Sequence, residues 1–242
     1  MNLLVDLGNS RIKWQLRSGG RVCAEGALAY LDSDGLPDTL FSNLNALPVA
    51  PVKALACTVT ATARFMELSD WLAQRFGCPV IRVEAAHTAF GVTNAYPEPE
   101  HMGADRWAAL VGARAHYPGR LCIADCGTAT TLDVLAADGR HEGGVIFPGI
   151  AMARHALRAG AHRLSDACAG DLPLLADDTG PAIRAGTLHS TIGALTHIKA
   201  RVDQTPGVPV CRGFLTGGDA PLVADQLGDD WVVDPQLVMH GL

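Results

Sequence analysis

Several features that would indicate particular classes of protein are missing from this 242-residue sequence. Lysine and arginine never form a run, and the formal net charge is −6, so the basic patch typical of a nucleic-acid binder is not expected. No apolar stretch reaches the roughly 18 residues that a membrane-spanning helix needs. The composition therefore predicts a protein that binds neither nucleic acid nor a membrane.

The cysteines lack the paired spacing of a zinc site or a disulfide framework, and no CxxC pair occurs. The favoured interpretation is that they are small buried residues in a reducing compartment. The N-terminus enters an apolar strand at once, without the basic segment of a signal peptide, so a cytoplasmic protein is expected. The seven cysteines are Cys23, Cys57, Cys78, Cys122, Cys126, Cys168 and Cys211.

The common nucleotide and metal signatures are also missing. The sequence contains no GxGxxG, no GxxxxGK[ST] and no HExxH. A Rossmann fold, a P-loop and a zinc-protease site are therefore weakly supported.

One segment of the chain occurs twice. LLVDLGNSRIKWQLRSGGR stands near the start, and CIADCGTATTLDVLAADGR stands near the middle. Without a gap, Asp6 aligns with Asp125 and Gly8 with Gly127. Each copy reads as an apolar strand, an acidic residue, a glycine turn, a second strand and a hairpin. The repeat predicts two related domains, residues 1–118 and 119–242.

The remaining pattern predicts the same class of fold in each half. Strand hairpins come first, and helices then alternate with strands, which indicates α/β domains with mixed sheets flanked by helices. Apolar spacing predicts a helix over residues 62–76 that stops at Gly77. Another helix is expected to start at Pro148, residues 162–181 look irregular, and residues 181–203 form the longest helical pattern.

The two acidic glycine turns, DLGNS and DCGTATT, carry the first chemical signal. A carboxylate at a strand end can hold Mg²⁺, and the backbone N–H groups of a tight turn bind phosphate oxygens. Lys13 adds a cation in the first copy, and threonines replace it in the second. Either turn alone fits a plain hairpin equally well. The pair favours a nucleotide triphosphate and its metal in a cleft between the domains.

The segment GADR gives a second signal. Asp105 and Arg106 fall at a predicted helix start, where an acidic residue is also favoured by the helix dipole alone. The functional interpretation makes Asp105 a general base and Arg106 a clamp for a carboxylate. Glycine pairs in GGVIFPG and LTGGD fit ordinary turns or the close approach of a flat ligand.

The order DLGNSRIKW, MGADR, DCGTATTLD and GGVIFPGI resembles the type III pantothenate kinases, from about residue 3 to residue 219. The resemblance implies two ribonuclease-H-like domains with mixed sheets flanked by helices and a nucleotide cleft between them. It implies ATP-dependent phosphorylation of pantothenate to 4′-phosphopantothenate, the first step of coenzyme A synthesis. It also implies a homodimer.

The resemblance implies roles for particular residues as well. Asp105 would be catalytic, Asp6 would lie near Mg²⁺, directly or through water, and Asp125 would hold a monovalent cation, K⁺ or NH₄⁺. The expected ATP-binding residues are Asp6, Leu7, Gly8, Asn9, Ser10, Arg11, Ile12, Lys13 and Thr128. The expected pantothenate-binding residues are Tyr96, Gly103, Ala104, Asp105, Arg106 and Thr179.

Two other functions stay open from the sequence. A kinase of another small alcohol or acid would keep both glycine turns but would not explain GADR. A transcriptional accessory factor with the kinase fold would have lost catalysis, whereas Asp6, Asp105 and Asp125 are all present.

Overall fold

The computed structural model describes residues 1–30, 35–160 and 173–242 in two compact units. The first unit contains Met1–His116 together with Gln236–Leu242, and the second contains Tyr117–Pro235. Residues 236–242 thus belong to the first unit, whereas the sequence placed them in the second domain.

The first unit is built on a five-stranded mixed sheet with the strand order β3-β2-β1-β4-β5. β1, β2 and β3 pair antiparallel, whereas β4 runs parallel to β1 and to β5. A two-residue ladder, β6 with β7, follows. The strands are β1 (Asn2–Leu7), β2 (Arg11–Ser18), β3 (Arg21–Ala29), β4 (Lys53–Thr58), β5 (Val80–Val83), β6 (Thr88–Ala89) and β7 (Val92–Thr93).

The first unit also contains three helices that come before the second unit in the chain, and a short 3-10 helix at Pro99–His101. The three helices are α1 (Asp38–Asn45), α2 (Thr62–Phe76) and α3 (Ala104–His116). The predicted helix over 62–76 is confirmed, and it ends because Gly77 adopts a left-handed φ of 62°. Alternate β1 side chains, Leu3 and Val5 among them, pack in one core with Leu40 of α1 and Leu68 of α2.

The second unit repeats this topology, with the order β10-β9-β8-β11-β12. The strands β8, β9 and β10 pair antiparallel, whereas β11 runs parallel to β8 and to β12. The predicted α/β fold, with mixed sheets flanked by helices, is therefore confirmed. The elements are β8 (Leu121–Cys126), β9 (Ala129–Leu135), β10 (His141–Pro148), α4 (Ile150–Gly160), α5 (Thr179–Asp203), β11 (Arg212–Thr216), α6 (Ala220–Leu227) and β12 (Trp231–Val233).

Two sequence expectations need correction or fall outside the described residues. Pro148 does not start a helix: it ends β10 paired with Ala129, and α4 begins at Ile150. An edge strand tolerates proline because its outer N–H positions need no partner in the sheet. Most of the segment expected to be irregular, together with Cys168, lies outside the described residues. Among the described cysteines, all free, Cys23 is exposed and the rest are buried.

A last helix, α7 (Leu237–Gly241), packs against α3 of the first unit. The two backbones approach closely, since a Cβ on Gly241 would collide with the carbonyl of Ala108. Among the described residues, none of the helices combines the length and the apolar character that crossing a bilayer requires.

Candidate active site

Asp6 lies near the carboxyl end of β1, in the middle of its sheet. Its cross-strand neighbours are Lys13 on β2 and Cys57 on β4. Side chains opposite each other on adjacent strands share a face of the sheet. Leu7 and Ile12 fall on the opposite face of the sheet, in the core. Asp6, Lys13 and Cys57 therefore lie together on the face turned away from that core, where they form a polar group.

The surroundings of Asp6 disfavour its charged form. Burial, followed by the nearby negative charge of Asp105, raises the pKa of Asp6 to about 6. Lys13 and a hydrogen bond from the Cys57 thiol, with Sγ 3.4 Å from Oδ1, act in the opposite direction. Burial and the two carboxylates raise the pKa of Cys57 well above its usual value, so the thiol remains a donor. Two acidic groups thus lie close together in the first unit.

Asp105 is the second residue of α3 and lies over the glycine that precedes that helix. Its Oδ1 accepts the backbone N–H of Arg106 at 2.7 Å. A Cβ on Gly103 would lie 2.6 Å from the same oxygen and 3.6 Å from a methyl group of Val59. Alanine at position 103 would therefore displace the Asp105 carboxylate. Gly103 packs against Val59, just after the end of β4, at the same end of the sheet as Asp6.

Arg106 and Tyr96, two of the residues expected to bind pantothenate, meet in the first unit. The Arg106 side chain is buried, and its Nη1 donates to the Tyr96 hydroxyl at 3.0 Å. Its Cζ lies 5.6 Å from the centre of the Tyr96 ring. Asn94 fixes the loop, since its Oδ1 accepts the backbone N–H of Tyr96 at 3.0 Å. One edge of the guanidinium is thereby held in place.

The turn between β1 and β2 contains Gly8, Asn9 and Ser10. It is closed by the Gly8 N–H, which donates to the carbonyl of Arg11 at 3.0 Å. A Cβ on Gly8 would lie 2.9 Å from that carbonyl oxygen, so only glycine fits without a shift. Asn9 and Arg11 are exposed, whereas Leu7 and Ile12 have buried side chains and offer only backbone atoms to a ligand.

The corresponding turn of the second unit is enclosed by two further glycines. A Cβ on Gly217 would collide with Asp125 Oδ1, and one on Gly149 would collide with the carbonyls of Gly127 and Thr128. Gly149 also donates its N–H to the Thr128 carbonyl at 3.1 Å. The segments DCGTATT, GGVIFPG and LTGGD, separate in the sequence, therefore converge at one end of the second sheet.

Thr179 lies in the second unit, whereas the other expected pantothenate-binding residues lie in the first. It is the first residue of α5, and Asp178 caps the helix by accepting the Thr179 N–H at 2.6 Å. It lines a groove of about 800 Å³ between α4 and α5, together with Leu157 and Thr187.

The donor atoms at both acidic turns suit hard cations. Asp6 supplies carboxylate oxygens, which fit Mg²⁺ completed by phosphates and waters. Asp125 lies beside the carbonyl of Cys126, since the same added Cβ at Gly217 would meet both. Over residues 1–30, 35–160 and 173–242, no group of three or more His, Cys, Asp or Glu side chains is arranged to hold a metal.

Comparison with known proteins decides the family. The family model of the type III pantothenate kinases matches residues 2–201. The chain belongs to the type III pantothenate kinase family. A type III pantothenate kinase of Halorhodospira halophila is 41% identical over all of this chain and 96% of its own length. One of Nitrosococcus oceani is 38% identical over all of this chain and 92% of its own length.

Solved structures show that the type III pantothenate kinase fold of this chain is shared more widely. A Campylobacter jejuni protein named as a Baf family transcriptional activator matches with a TM-score of 0.61 at 20% identity, over 99% of this chain and 94% of its own. An activator of 2-hydroxyisocaproyl-CoA dehydratase from Clostridium difficile, solved with bound ADPNP, matches with a TM-score of 0.57 at 10% identity, over 99% and 91%. At these identities the likeness concerns the fold alone.

Several residues that contact the expected site of this type III pantothenate kinase are not predictable from the sequence motifs alone. Cys57 and Asn94 gave no signal, because each stands outside the recognised motifs and is placed by strand register or loop geometry. Gly149 and Gly217 lie in segments already noted for their glycine pairs. Only the structure shows that the last glycine of GGVIFPG and the first glycine of LTGGD are closely packed.

Proposed function

We propose that the protein catalyses the ATP-dependent phosphorylation of pantothenate to 4′-phosphopantothenate, the first step of coenzyme A synthesis. Membership of the type III pantothenate kinase family supports this reaction. The observation that carries the residue assignments is the proximity of Asp105 to Asp6, which is close enough to raise the pKa of Asp6. A base for the acceptor hydroxyl and a ligand for the nucleotide's metal are then neighbours.

Asp105 is the proposed catalytic residue. Its carboxylate accepts the proton of the pantothenate hydroxyl as the new O–P bond forms and the bond between the β and γ phosphates breaks to release ADP. Phosphoryl transfer depends mainly on positioning and charge neutralisation, so an ordinary carboxylate suffices as the base.

Arg106 is the proposed clamp for the pantothenate carboxylate. A guanidinium matches a carboxylate through two parallel hydrogen bonds, and Tyr96 holds that guanidinium by its hydroxyl. Gly103 and Ala104 complete the segment, and Thr179 is the proposed contribution of the second unit.

The phosphates of ATP are proposed to bind residues 6–13 of the first unit and Thr128 of the second. Backbone N–H groups and Lys13 supply positive potential there. Asp6 would hold Mg²⁺ directly or through water, and Asp125 a monovalent cation such as K⁺ or NH₄⁺. When bound there, Mg²⁺ would neutralise the negative charge that develops on the leaving phosphate.

We further propose a cytoplasmic homodimer that binds neither nucleic acid nor membranes. Large apolar side chains remain exposed on β10 and α4 of the second unit, which favours burial against a second copy. Their exposed fractions are 61% for Ile146, 44% for Met152 and 49% for Leu157.

A coupled assay of ADP release tests this function directly. The wild-type protein should turn over only when pantothenate is present, and the comparison of Na⁺ with K⁺ buffers tests the monovalent cation. Turnover that ignores pantothenate would contradict the proposal.

Two variants test the residue roles in the same assay. Asp105→Asn should lower kcat by roughly 10²–10⁴-fold while calorimetry still detects ATP binding, because the base is lost and the phosphate turn is kept. Arg106→Gln should mainly raise the KM for pantothenate. Asp70→Asn, an exposed change on α2, is the matched control and should behave as wild type. Full activity of Asp105→Asn would remove that residue from the mechanism.

A further inference from the structure

Tyr30, the residue after β3, holds the turn between β1 and β2 at two points. Its hydroxyl donates to the carbonyl of Gly8 at 2.5 Å. Its backbone N–H donates to the carbonyl of Ser10 at 3.0 Å. The Tyr30 side chain is only 6% exposed, so this contact is part of the core and not a surface encounter.

Arg64, in the first turn of α2, lies over Tyr30. Its Cζ is 4.9 Å from the centre of the ring, and its Nη1 is 3.4 Å from the Tyr30 hydroxyl oxygen. A guanidinium above an aromatic face is attracted by the ring. A charged donor to the phenol oxygen also polarises the O–H bond, which strengthens the next hydrogen bond in the chain. Arg64, Tyr30 and the Gly8 carbonyl thus form one connected series.

This series determines the direction of a backbone donor. Peptide units are planar and trans, so the N–H of Asn9 points opposite to the carbonyl of Gly8. Since Tyr30 holds the Gly8 carbonyl, it directs the Asn9 N–H to the other side of the turn. A nest of backbone N–H groups binds phosphate oxygens only when their directions converge.

The series also lies within electrostatic reach of the proposed metal ligand. Burial raises the pKa of Tyr30, the charge of Asp6 adds to that effect, and Arg64 opposes it. Asp6 and Arg64 therefore both act on the same hydroxyl. Neither Tyr30 nor Arg64 belongs to a segment that the sequence marks as part of the site.

We propose that Tyr30 and Arg64 are positioning residues that hold the turn at Gly8, Asn9 and Ser10 in the conformation that binds the ATP phosphates. The proposal rests on the proposed kinase function and adds two residues to it. Their contribution is to the nucleotide side of the site and not to the acceptor side.

Steady-state kinetics with Tyr30→Phe tests the proposal. Loss of one buried hydrogen bond should raise the KM for ATP about threefold to tenfold, whereas the KM for pantothenate should stay within about twofold of wild type. Arg64→Met should give a smaller change of the same kind, and Arg64→Lys should restore most of it because a cation returns to the ring face.

Tyr117→Phe is the matched control. Tyr117, in the second unit, also donates its hydroxyl, to Asp234 Oδ2 at 2.8 Å, and lies outside every proposed ligand-binding segment. It should leave the KM for ATP unchanged. An unchanged KM for ATP in Tyr30→Phe, or an equal rise for both substrates, would overturn the proposal.

Calorimetric binding of ADP with Mg²⁺ separates this inference from the function itself. Weaker ADP binding by Tyr30→Phe supports the positioning role even if the wild-type protein fails to phosphorylate pantothenate. Unaltered ADP binding overturns it even if the wild type is an active kinase. Should Tyr30→Phe not fold, Arg64→Met decides by the same two measurements.

Discussion

The carboxyl of Asp6 occupies a place where its own ionisation is unfavourable. Burial and the charge of Asp105 outweigh the help from Lys13 and Cys57, and the pKa of Asp6 rises to about 6. At neutral pH the folded protein therefore holds a costly charge at the position proposed to meet Mg²⁺. Sites that bind cations commonly keep such a cost, because the ligand removes it.

Asp6→Asn should make the protein without ligands more stable at pH 7–8 while abolishing turnover. A group whose pKa is raised in the folded state stabilises that state below its unfolded pKa, and this stabilisation is lost as the pH rises through the folded value. The variant lacks that loss, so its gain should reach up to about 3 kcal/mol above pH 7 and vanish near pH 4. Chemical denaturation across pH without Mg²⁺ or nucleotide measures it.

Asp70→Asn again serves as the control, because Asp70 is an exposed residue of α2 and its replacement should change the free energy of unfolding little. A free energy of unfolding for Asp6→Asn that follows the wild type at every pH would show that Asp6 ionises at no cost.

At the scale of elements, the repeat predicts the topology but misaligns one strand. Both sheets have the same strand order, yet the turn after β1 has three residues and the turn after β8 has two. As a result Asp6 pairs with Lys13, whereas Asp125 pairs with Thr131 and not with Leu132, which the gapless alignment places there. A sequence comparison without gaps cannot show this shift, because a longer tip between β9 and β10 restores the spacing.

Other elements show why local patterns succeed or fail. Helix α2 was predictable because its apolar spacing and the stop at Gly77 agree. The prediction of a helix starting at Pro148 was wrong because proline is compatible both with a first helical turn and with an edge strand. Only the pairing of β10 decides between the two. The proximity of Asp105 to Asp6 depends on how α3 packs beside β4, which no local pattern reports.

Gly149→Ala should destabilise the second unit and impair ATP use. An added methyl would collide with the carbonyls of Gly127 and Thr128, so the turn or the start of α4 must move. Such overpacking costs about 1–3 kcal/mol. Thermal unfolding and the KM for ATP should both change.

Gly193→Ala is the matched control, and it should change the stability in the opposite direction. Gly193 is an exposed residue of α5 whose added methyl would meet no described atom within 4 Å. Alanine there should stabilise the helix by about 1 kcal/mol and leave the KM for ATP unaltered. If Gly149→Ala behaved like Gly193→Ala, the close packing at the Thr128 turn would be irrelevant to stability.

At the scale of the whole molecule, the two compact units do not follow the chain from end to end. The chain returns to the first unit at Gln236, and α7 packs on α3 through Gly112 and Gly241. The duplicated segments lie before this return, so nothing in the repeat separates the last residues from the second domain. A five-residue helix is also too short to reveal its period.

The proposed homodimer makes the last prediction, which concerns the groove between α4 and α5. Leu157 is 49% exposed there, so burying the rest of its side chain against a second copy would contribute about 1–1.5 kcal/mol. Leu157→Glu would replace that gain with the cost of burying a charge, so the dissociation constant should rise at least about 100-fold. Analytical ultracentrifugation over a dilution series measures it.

Val52→Glu is the control, because Val52 is 67% exposed and lies in the first unit. This variant should dimerise as tightly as the wild-type protein. A Leu157→Glu protein that dimerises as tightly as wild type would place the interface elsewhere, and a wild type that stays monomeric at every concentration would refute the dimer.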